Sequence, residues 1–398
     1  MSTNSVAIVG AAAIPVGKWQ TRASEPVQVL EHEVLAQVVL EAVAAAGVDK
    51  EDIGTLSFAQ PRPYTAQKYF ATFMANFLRL TASGSVIEVL GNGMTGAWAF
   101  EQARKDLQLG NAKVALALGV NFETAVPTTE HGMNTLRAVG DVDFQGPFGI
   151  TPIAWYGMAA SRYLNDFGVT REQLAAVAVK NRGHAALNPL AQFRSPITVT
   201  DVVNQRSIVE PLGLLDVPAR GDGAVCVVLA TEEVARSLGR PYVRIRGAGF
   251  HHEGVHQISD IPDDITTFGA ATIAAAAAFK EAGVSAADLD LAELYAPCTI
   301  VEVIVSEALG LAKRGRGAID AAMGDTAIGG RIPISTSGGL MSRGHPSYVT
   351  PLYGMLELFQ QLTGVADARQ VENAALALST AELGIYNAAM VHILEGVR

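Results

Sequence analysis

The chain repeats itself, and this repeat limits its architecture more than any other feature. A stretch with apolar residues at Leu30, Val34, Leu35, Val38, Val39, Ala42 and Val43 carries one buried stripe at helical spacing. It closes on Ala46-Gly47-Val48 and passes through Asp49–Ile53 into the extended Thr55–Phe58. Much later an alanine-rich stretch, Ala270–Glu281, closes on Ala282-Gly283-Val284 and passes through Ser285–Leu289 into Leu291–Tyr295. Gly47 to Gly283 and Asp52 to Asp288 span the same number of residues. A β-type run precedes each copy, Val6–Val9 and Tyr242–Ile245. Glycine at each helix end predicts a left-handed cap, and Asp49 and Ser285 are expected to cap the following turns. Two such βα halves imply stacked sheets. Small side chains let a helix approach closely, so the alanine-rich helices are expected between the sheets.

The 398 residues suffice for two halves, each with its own core. The first is expected over 1–238 and the second over 239–398, with a less regular insertion at about 120–235. The insertion contains the turn signals Asn188-Pro189, Ser195-Pro196 and Glu210-Pro211 and the helical segment Trp155–Phe167. Apolar residues make up 49% and charged ones 17%, which predicts extensive burial, a subunit interface included. A net charge of -10 argues against a nucleic-acid partner. No secretory segment or membrane-length apolar run is legible, so a cytoplasmic protein with no membrane partner is expected.

Chemistry concentrates in a few places. Ser335–Pro346 (STSGGLMSRGHP) holds His345 in a glycine-framed turn fixed by Pro346. A histidine held this way can exchange protons or donate a hydrogen bond near neutral pH. Gly91-Asn92-Gly93-Met94-Thr95-Gly96 has dinucleotide-fingerprint spacing after the extended Val86–Leu90. Glu88 inside that strand and the distance to the acidic Glu123 favour plain strand-to-helix packing, so no cofactor is assigned. His252-Glu253-Gly254-Val255-His256 fits H-E-x-x-H, but it follows a strand and contains glycine, so a polar loop and no metal is expected. There is no G-x-S-x-G elbow for a serine hydrolase. Two cysteines are too few for a disulfide framework or a cysteine-built zinc site. Cys226, in the apolar Ala224–Leu229, reads as core. Cys298 follows Tyr295-Ala296-Pro297 at a strand-to-helix junction, where a helix N-terminus could activate a thiol, though burial is the commoner outcome.

Taken in order, Lys180–His184, Asn188–Phe193, Gly221–Ala224, Glu293–Glu302, Glu307–Leu311 and Gly338–Pro346 resemble the thiolase superfamily. The likeness is to sterol-carrier-protein-type thiolases and thiolase-like lipid-transfer proteins, and it runs over essentially the whole chain. It implies an α/β fold of duplicated βαβαβαββ halves in a five-layer αβαβα arrangement, and a homodimer. It also implies a CoA thioester as substrate, with no permanently bound cofactor.

The resemblance further implies a cysteine nucleophile activated by the histidine of Gly-His-Pro, and a second cysteine that moves the α-proton. Here Gly93 falls at the nucleophile position, and glycine has no atom to acylate. Tyr295 takes the place of a His or Asn that binds the thioester oxygen. The C-terminal cysteine loop falls near Leu378–Asn387, where only Gly384 is kept, with Glu382 and Tyr386 in the neighbourhood. Of the usual catalytic side chains only His345 survives. Condensation through a cysteinyl intermediate is therefore not expected. The resemblance extends to thiolase-like aldolases of steroid side-chain degradation, which carry a tyrosine at the strand end and work with a small OB-fold partner. It implies retro-aldol cleavage of a β-hydroxyacyl-CoA with Tyr295 and His345 as catalytic groups, and Met94, Cys298, Glu382 and Tyr386 as possible lining. Ala296 replaces the acid usual after that tyrosine. The alternatives are a non-catalytic acyl-CoA or lipid-binding subunit, and other acyltransferase chemistry.

Overall fold

The computed structural model of the protein describes residues 5–19, 29–59, 67–124, 126–127, 129, 143, 146–253 and 264–398. Its strands are β1 (Val6–Ala13), β2 (Ile53–Ala59), β3 (Val86–Val89), β4 (Val114–Asn121), β5 (Ser207–Val209), β6 (Leu212–Gly213), β7 (Gly223–Thr231), β8 (Tyr242–His252), β9 (Leu291–Glu293), β10 (Leu376–Glu382) and β11 (Ala388–Val397). Apart from the β5–β6 pair they form one sheet in the order β3-β2-β4-β7-β1-β8-β11-β10-β9. β2 pairs in parallel with β3 and β4, as β9 does with β10; the remaining pairs of this sheet are antiparallel.

The duplication is visible in this order. β1 and β8 meet at the centre, with β7, β4, β2 and β3 running outward on one side and β11, β10 and β9 on the other. Gly47 and Gly283 cap the helices Glu31–Ala46 and Gly269–Ala282 at φ +71° and +68°. Ser285 and Asp288 bond each other as a cap should, whereas Asp49 makes no side-chain cap bond.

Five layers result, but the enclosed layer is not the alanine-rich one. Thr95–Gln108 and Thr350–Thr363 are the middle helices, packing on β1, β4 and β7 from one half and β8, β9 and β10 from the other. Of their buried carboxylates, Glu101 and Glu357 pair with arginines, while Asp106 is held by hydrogen bonds from Thr55, Ser85 and Asn111. Arg104 Nε and Nη2 each donate 2.8 Å bonds to Glu101, and Arg369 Nε donates 2.8 Å to Glu357. Helix Gly269–Ala282 instead lies on the outer face of the second half, burying Ala270, Ala271, Ala274, Ala275 and Ala278 and exposing Ile273. Its single buried stripe is hidden in the sequence because alanine stands on both faces. Helix Glu31–Ala46 covers the outer face of the first half.

The inserted region lies between β4 and β7, so β7, within the span read as inserted, is a strand of the main sheet. Its helices Pro152–Phe167 and Arg171–Ala186 are carried by the first half but pack on the second, with Tyr156, Ala159 and Tyr163 in one core with Leu378 and Val391. His252 closes β8, not a helix, and Gly254–His256 lie outside the described residues. Among the described residues no helix is long and apolar enough to cross a membrane.

Candidate active site

Tyr295 lies just past the C-terminal end of β9, where its backbone N–H donates to Thr380 Oγ1 of the adjacent β10 at 2.9 Å. Parallel strand ends of this kind open toward loops that can reach a ligand. Gly93 comes from the other half, in the 3₁₀ turn Asn92–Met94 that opens helix Thr95–Gln108. A β-carbon built on Gly93 would stand 2.6 Å from Tyr295 Oη and 2.5 Å from the Glu382 carbonyl oxygen. Any side chain here would collide with the tyrosine hydroxyl. The space beside this turn belongs to Tyr295.

His345 is half-buried, and its ring meets the Tyr295 ring edge to face with centroids 5.8 Å apart. Its Nδ1 lies 3.0 Å from Thr350 Oγ1. Gly344 adopts φ +108°, a left-handed conformation that favours glycine. The loop that presents His345 is held from the insertion. Asn188 Nδ2 donates to the Ser337 carbonyl at 2.8 Å, and His184 Nδ1 lies 3.0 Å from the Ser335 carbonyl. His184 itself is pushed down to about 3, first by burial and then by the Lys180 charge, so it is neutral near pH 7. Lys180 pairs with Glu302 and donates to the Ile334 carbonyl at 2.9 Å. These segments of the insertion therefore act as scaffold.

Behind the strand end lies a second buried set. Glu293 accepts from the Ser337 backbone N–H and hydroxyl, both at 2.8 Å, and from Thr336 Oγ1 at 3.2 Å. The same Thr336 hydroxyl lies 3.0 Å from Glu357. Arg343 Nη1 is 3.9 Å from Glu293. Burial and then the Glu357 charge raise the Glu293 carboxyl, with Arg343 opposing. Sequence reasoning passed over Glu293, Arg343 and Thr350 as site groups, although an acid inside the buried Leu291–Leu294 needs a partner.

Of the expected lining residues, Glu382, Tyr386 and Cys298 gather around Tyr156, and Met94 lies apart from them. Met94 packs with Ala97, Ala381, Ala388 and Met390 in an apolar cluster. Glu382 is buried, accepts from Tyr156 Oη at 2.8 Å and has its carboxyl pushed up to about 7, mainly by burial. Tyr386 stacks near Tyr156 and Phe268, with centroids 5.5 and 5.0 Å away, at φ +65°. Cys298 stands at the N-cap position of helix Thr299–Ala308 without a side-chain cap bond, and its thiol is fully buried and raised well above the usual range, first by burial and then by Asp216 and Glu382. Burial outweighs the helix N-terminus, so this is not an activated thiolate. Cys226 is buried in β7 and its thiol is likewise raised by burial. Among the described residues no group of His, Cys, Asp and Glu could hold a metal ion.

Comparison with known proteins gives the chain a place. The family model "Thiolase, N-terminal domain" matches residues 6–233, and "Thiolase C-terminal domain-like" matches 247–396. An acetyl-CoA acetyltransferase of Methanothermobacter thermautotrophicus is 31% identical over 384 residues, covering 96% of this chain and 98% of the relative. A steroid side-chain-cleaving aldolase of Thermomonospora curvata is 29% identical over 391 residues, covering 96% and 97%. Among solved structures, an Ltp2-ChsH2(DUF35) aldolase superposes with a TM-score of 0.80 at 28% identity, covering 98% of each chain.

Proposed function

The chain belongs to the thiolase family, and from that premise we propose that it cleaves a C–C bond of a β-hydroxyacyl-CoA by a retro-aldol reaction, without a covalent intermediate. One observation carries the reading: the tyrosine hydroxyl fills the space beside Gly93 that a side chain at that position would need. Acyl transfer needs a nucleophile, and the two cysteines are buried thiols with raised pKa values. Retro-aldol chemistry needs proton transfer and charge stabilisation only.

Tyr295 takes the proton of the β-hydroxyl and shares it with His345 as the Cα–Cβ bond breaks. The bond's electron pair passes into the thioester as an enolate, and the β-carbon leaves as a ketone or aldehyde. The same proton then returns to the α-carbon, giving the shortened acyl-CoA. His345 can also polarise the thioester carbonyl. The likeness to two aldolases, one of them named as cleaving steroid side chains, makes steroid-derived acyl groups the substrate class to try first. The ChsH2(DUF35) component of the similar structure supports a small partner protein here as well. A homodimer through β3 is part of the proposal, since among the described residues that strand ends the sheet with an open edge and exposed Leu90 beside it.

The test is CoA-thioester cleavage, followed with any small protein encoded beside this one present and absent. Tyr295→Phe is expected to lower kcat by about 100-fold or more while leaving the unfolding midpoint unchanged. Equal rates would remove Tyr295 from the mechanism. Mass-spectrometric trapping of an acylated protein would overturn the non-covalent reaction altogether.

A further inference from the structure

Beside Tyr295 lies a small cavity of ≈ 10 Å³ lined by Glu293, Tyr295, Arg343, Thr350, Ser379 and Thr380 among its residues. That volume is about one water molecule, and the walls are polar enough to hold one. Arg343 is 2% exposed, and its Nε–H has no hydrogen-bond partner among the described residues. A guanidinium cannot shed its proton, so an orphaned buried N–H leaves a desolvation cost that one water would remove. Thr350, on the same wall, is the residue whose hydroxyl lies 3.0 Å from His345 Nδ1.

We propose that Arg343 Nε and Thr350 Oγ1 hold one water in this cavity, and that this water links His345 to the Glu293 carboxyl, making Glu293 the proton store of the site. The role rests on the aldolase reading, in which His345 handles the β-hydroxyl proton. When that proton reaches His345 Nε2, the Nδ1 proton passes to Thr350 Oγ1. The threonine's own proton passes to the water, and a water proton passes to the Glu293 carboxylate. The return path delivers one proton to the enolate, so nothing is drawn from bulk solvent. The charged and titratable groups facing Glu293 are Arg343 and, across Thr336, Glu357, which is itself held by Arg369. Tyr353 lies under the Arg343 guanidinium at 5.5 Å, and Tyr295 faces His345. The upward shift of the buried carboxyl suits a group that gains and loses a proton near neutral pH.

A high-resolution crystal structure decides the first half without any assay. Density for a water within hydrogen-bond reach of both Arg343 Nε and Thr350 Oγ1 is expected, and a dry cavity overturns the proposal. The link is then read from the titration of His345 by NMR in wild type, Thr350→Val, Thr350→Ser and Glu293→Gln. Thr350→Val and Glu293→Gln should both lower the His345 pKa, because each cuts the imidazolium off from a negative group, while Thr350→Ser should not. An unchanged titration in Thr350→Val breaks the link, and this variant decides the matter if Glu293→Gln does not fold. In the cleavage assay Thr350→Val should lower kcat by about tenfold with KM held and with Thr350→Ser restoring the rate. Unchanged kcat beside an altered titration would overturn the store. A wild type that cleaves nothing sinks the aldolase reading, but the water and the titration are still tested on their own.

Discussion

Two junctions face each other across the centre of the molecule, one from each half, and they have met different fates. The first-half junction, Gly91–Gly96, keeps its turn and its helix, with glycine at residue 93 facing the second half. The second-half junction, from Glu293 to Cys298 with the loop Ser335–Pro346, presents a hydroxyl, an imidazole and a buried carboxyl. The two are complementary. Tyr295 can stand where it does only because residue 93 is glycine: a β-carbon there would stand 2.6 Å from the tyrosine hydroxyl. On the proposed reading, the chemistry lies in the second half while the backbone plan of both halves is kept.

The strongest attempt to break that comparison is Gly93→Cys, which restores sulfur to the first-half junction. A β-carbon 2.6 Å from Tyr295 Oη and 2.5 Å from the Glu382 carbonyl cannot be accommodated without movement. The variant should lose cleavage activity, gain no acyl-transfer activity and lose about 3 kcal/mol of stability, the upper end for overpacking. Denaturant unfolding and an acyl-CoA condensation assay check it. A stable Gly93→Cys protein that condenses acyl-CoA would show that Tyr295 is a displaceable filler.

Glu382→Gln sharpens the contrast from behind the same turn. The Glu382 carboxyl rises from 4.5 to about 7 in the folded protein, chiefly by burial. Its neutral form is thus favoured by folding. That stability is fully present below the unfolded value and is lost as pH rises toward 7, by at most about 3 kcal/mol at 1.36 kcal/mol per unit. Glutamine can still accept from Tyr156 but cannot ionise. The variant should therefore gain on wild type in melting temperature between pH 4.5 and 7 and hold that gain above. Parallel curves across this window would mean that the carboxylate is satisfied as an anion.

The sequence carried the duplication because glycine caps and matching turns are local signals, as at Gly47 and Gly283. It misled on helix Gly269–Ala282, since uniform alanine erases the contrast between faces from which burial is read. The pairing of Gly93 with Tyr295 was open only to family resemblance, because the contact crosses from one half to the other. Arg343 and Glu293 stayed unread for a related reason. Their importance comes from a cavity assembled by three separate segments, and no spacing along the chain encodes a cavity.

The smallest expected effect concerns the seam itself. Asn92 holds φ +45°, and its Nδ2 donates to the Leu383 carbonyl at 2.7 Å, tying the first-half turn to the strand end beside Glu382. Asparagine tolerates this left-handed conformation better than most residues with a side chain. Asn92→Gly removes the bond but fits the backbone, so it should cost about 1 kcal/mol. Asn92→Ala removes the bond and also strains the backbone, which should add about 1 kcal/mol. Chemical denaturation of the pair separates the two contributions. If alanine proves no worse than glycine, the turn relaxes when its side-chain bond is cut. The left-handed geometry at Asn92 would then be imposed by the second half, not built into the first.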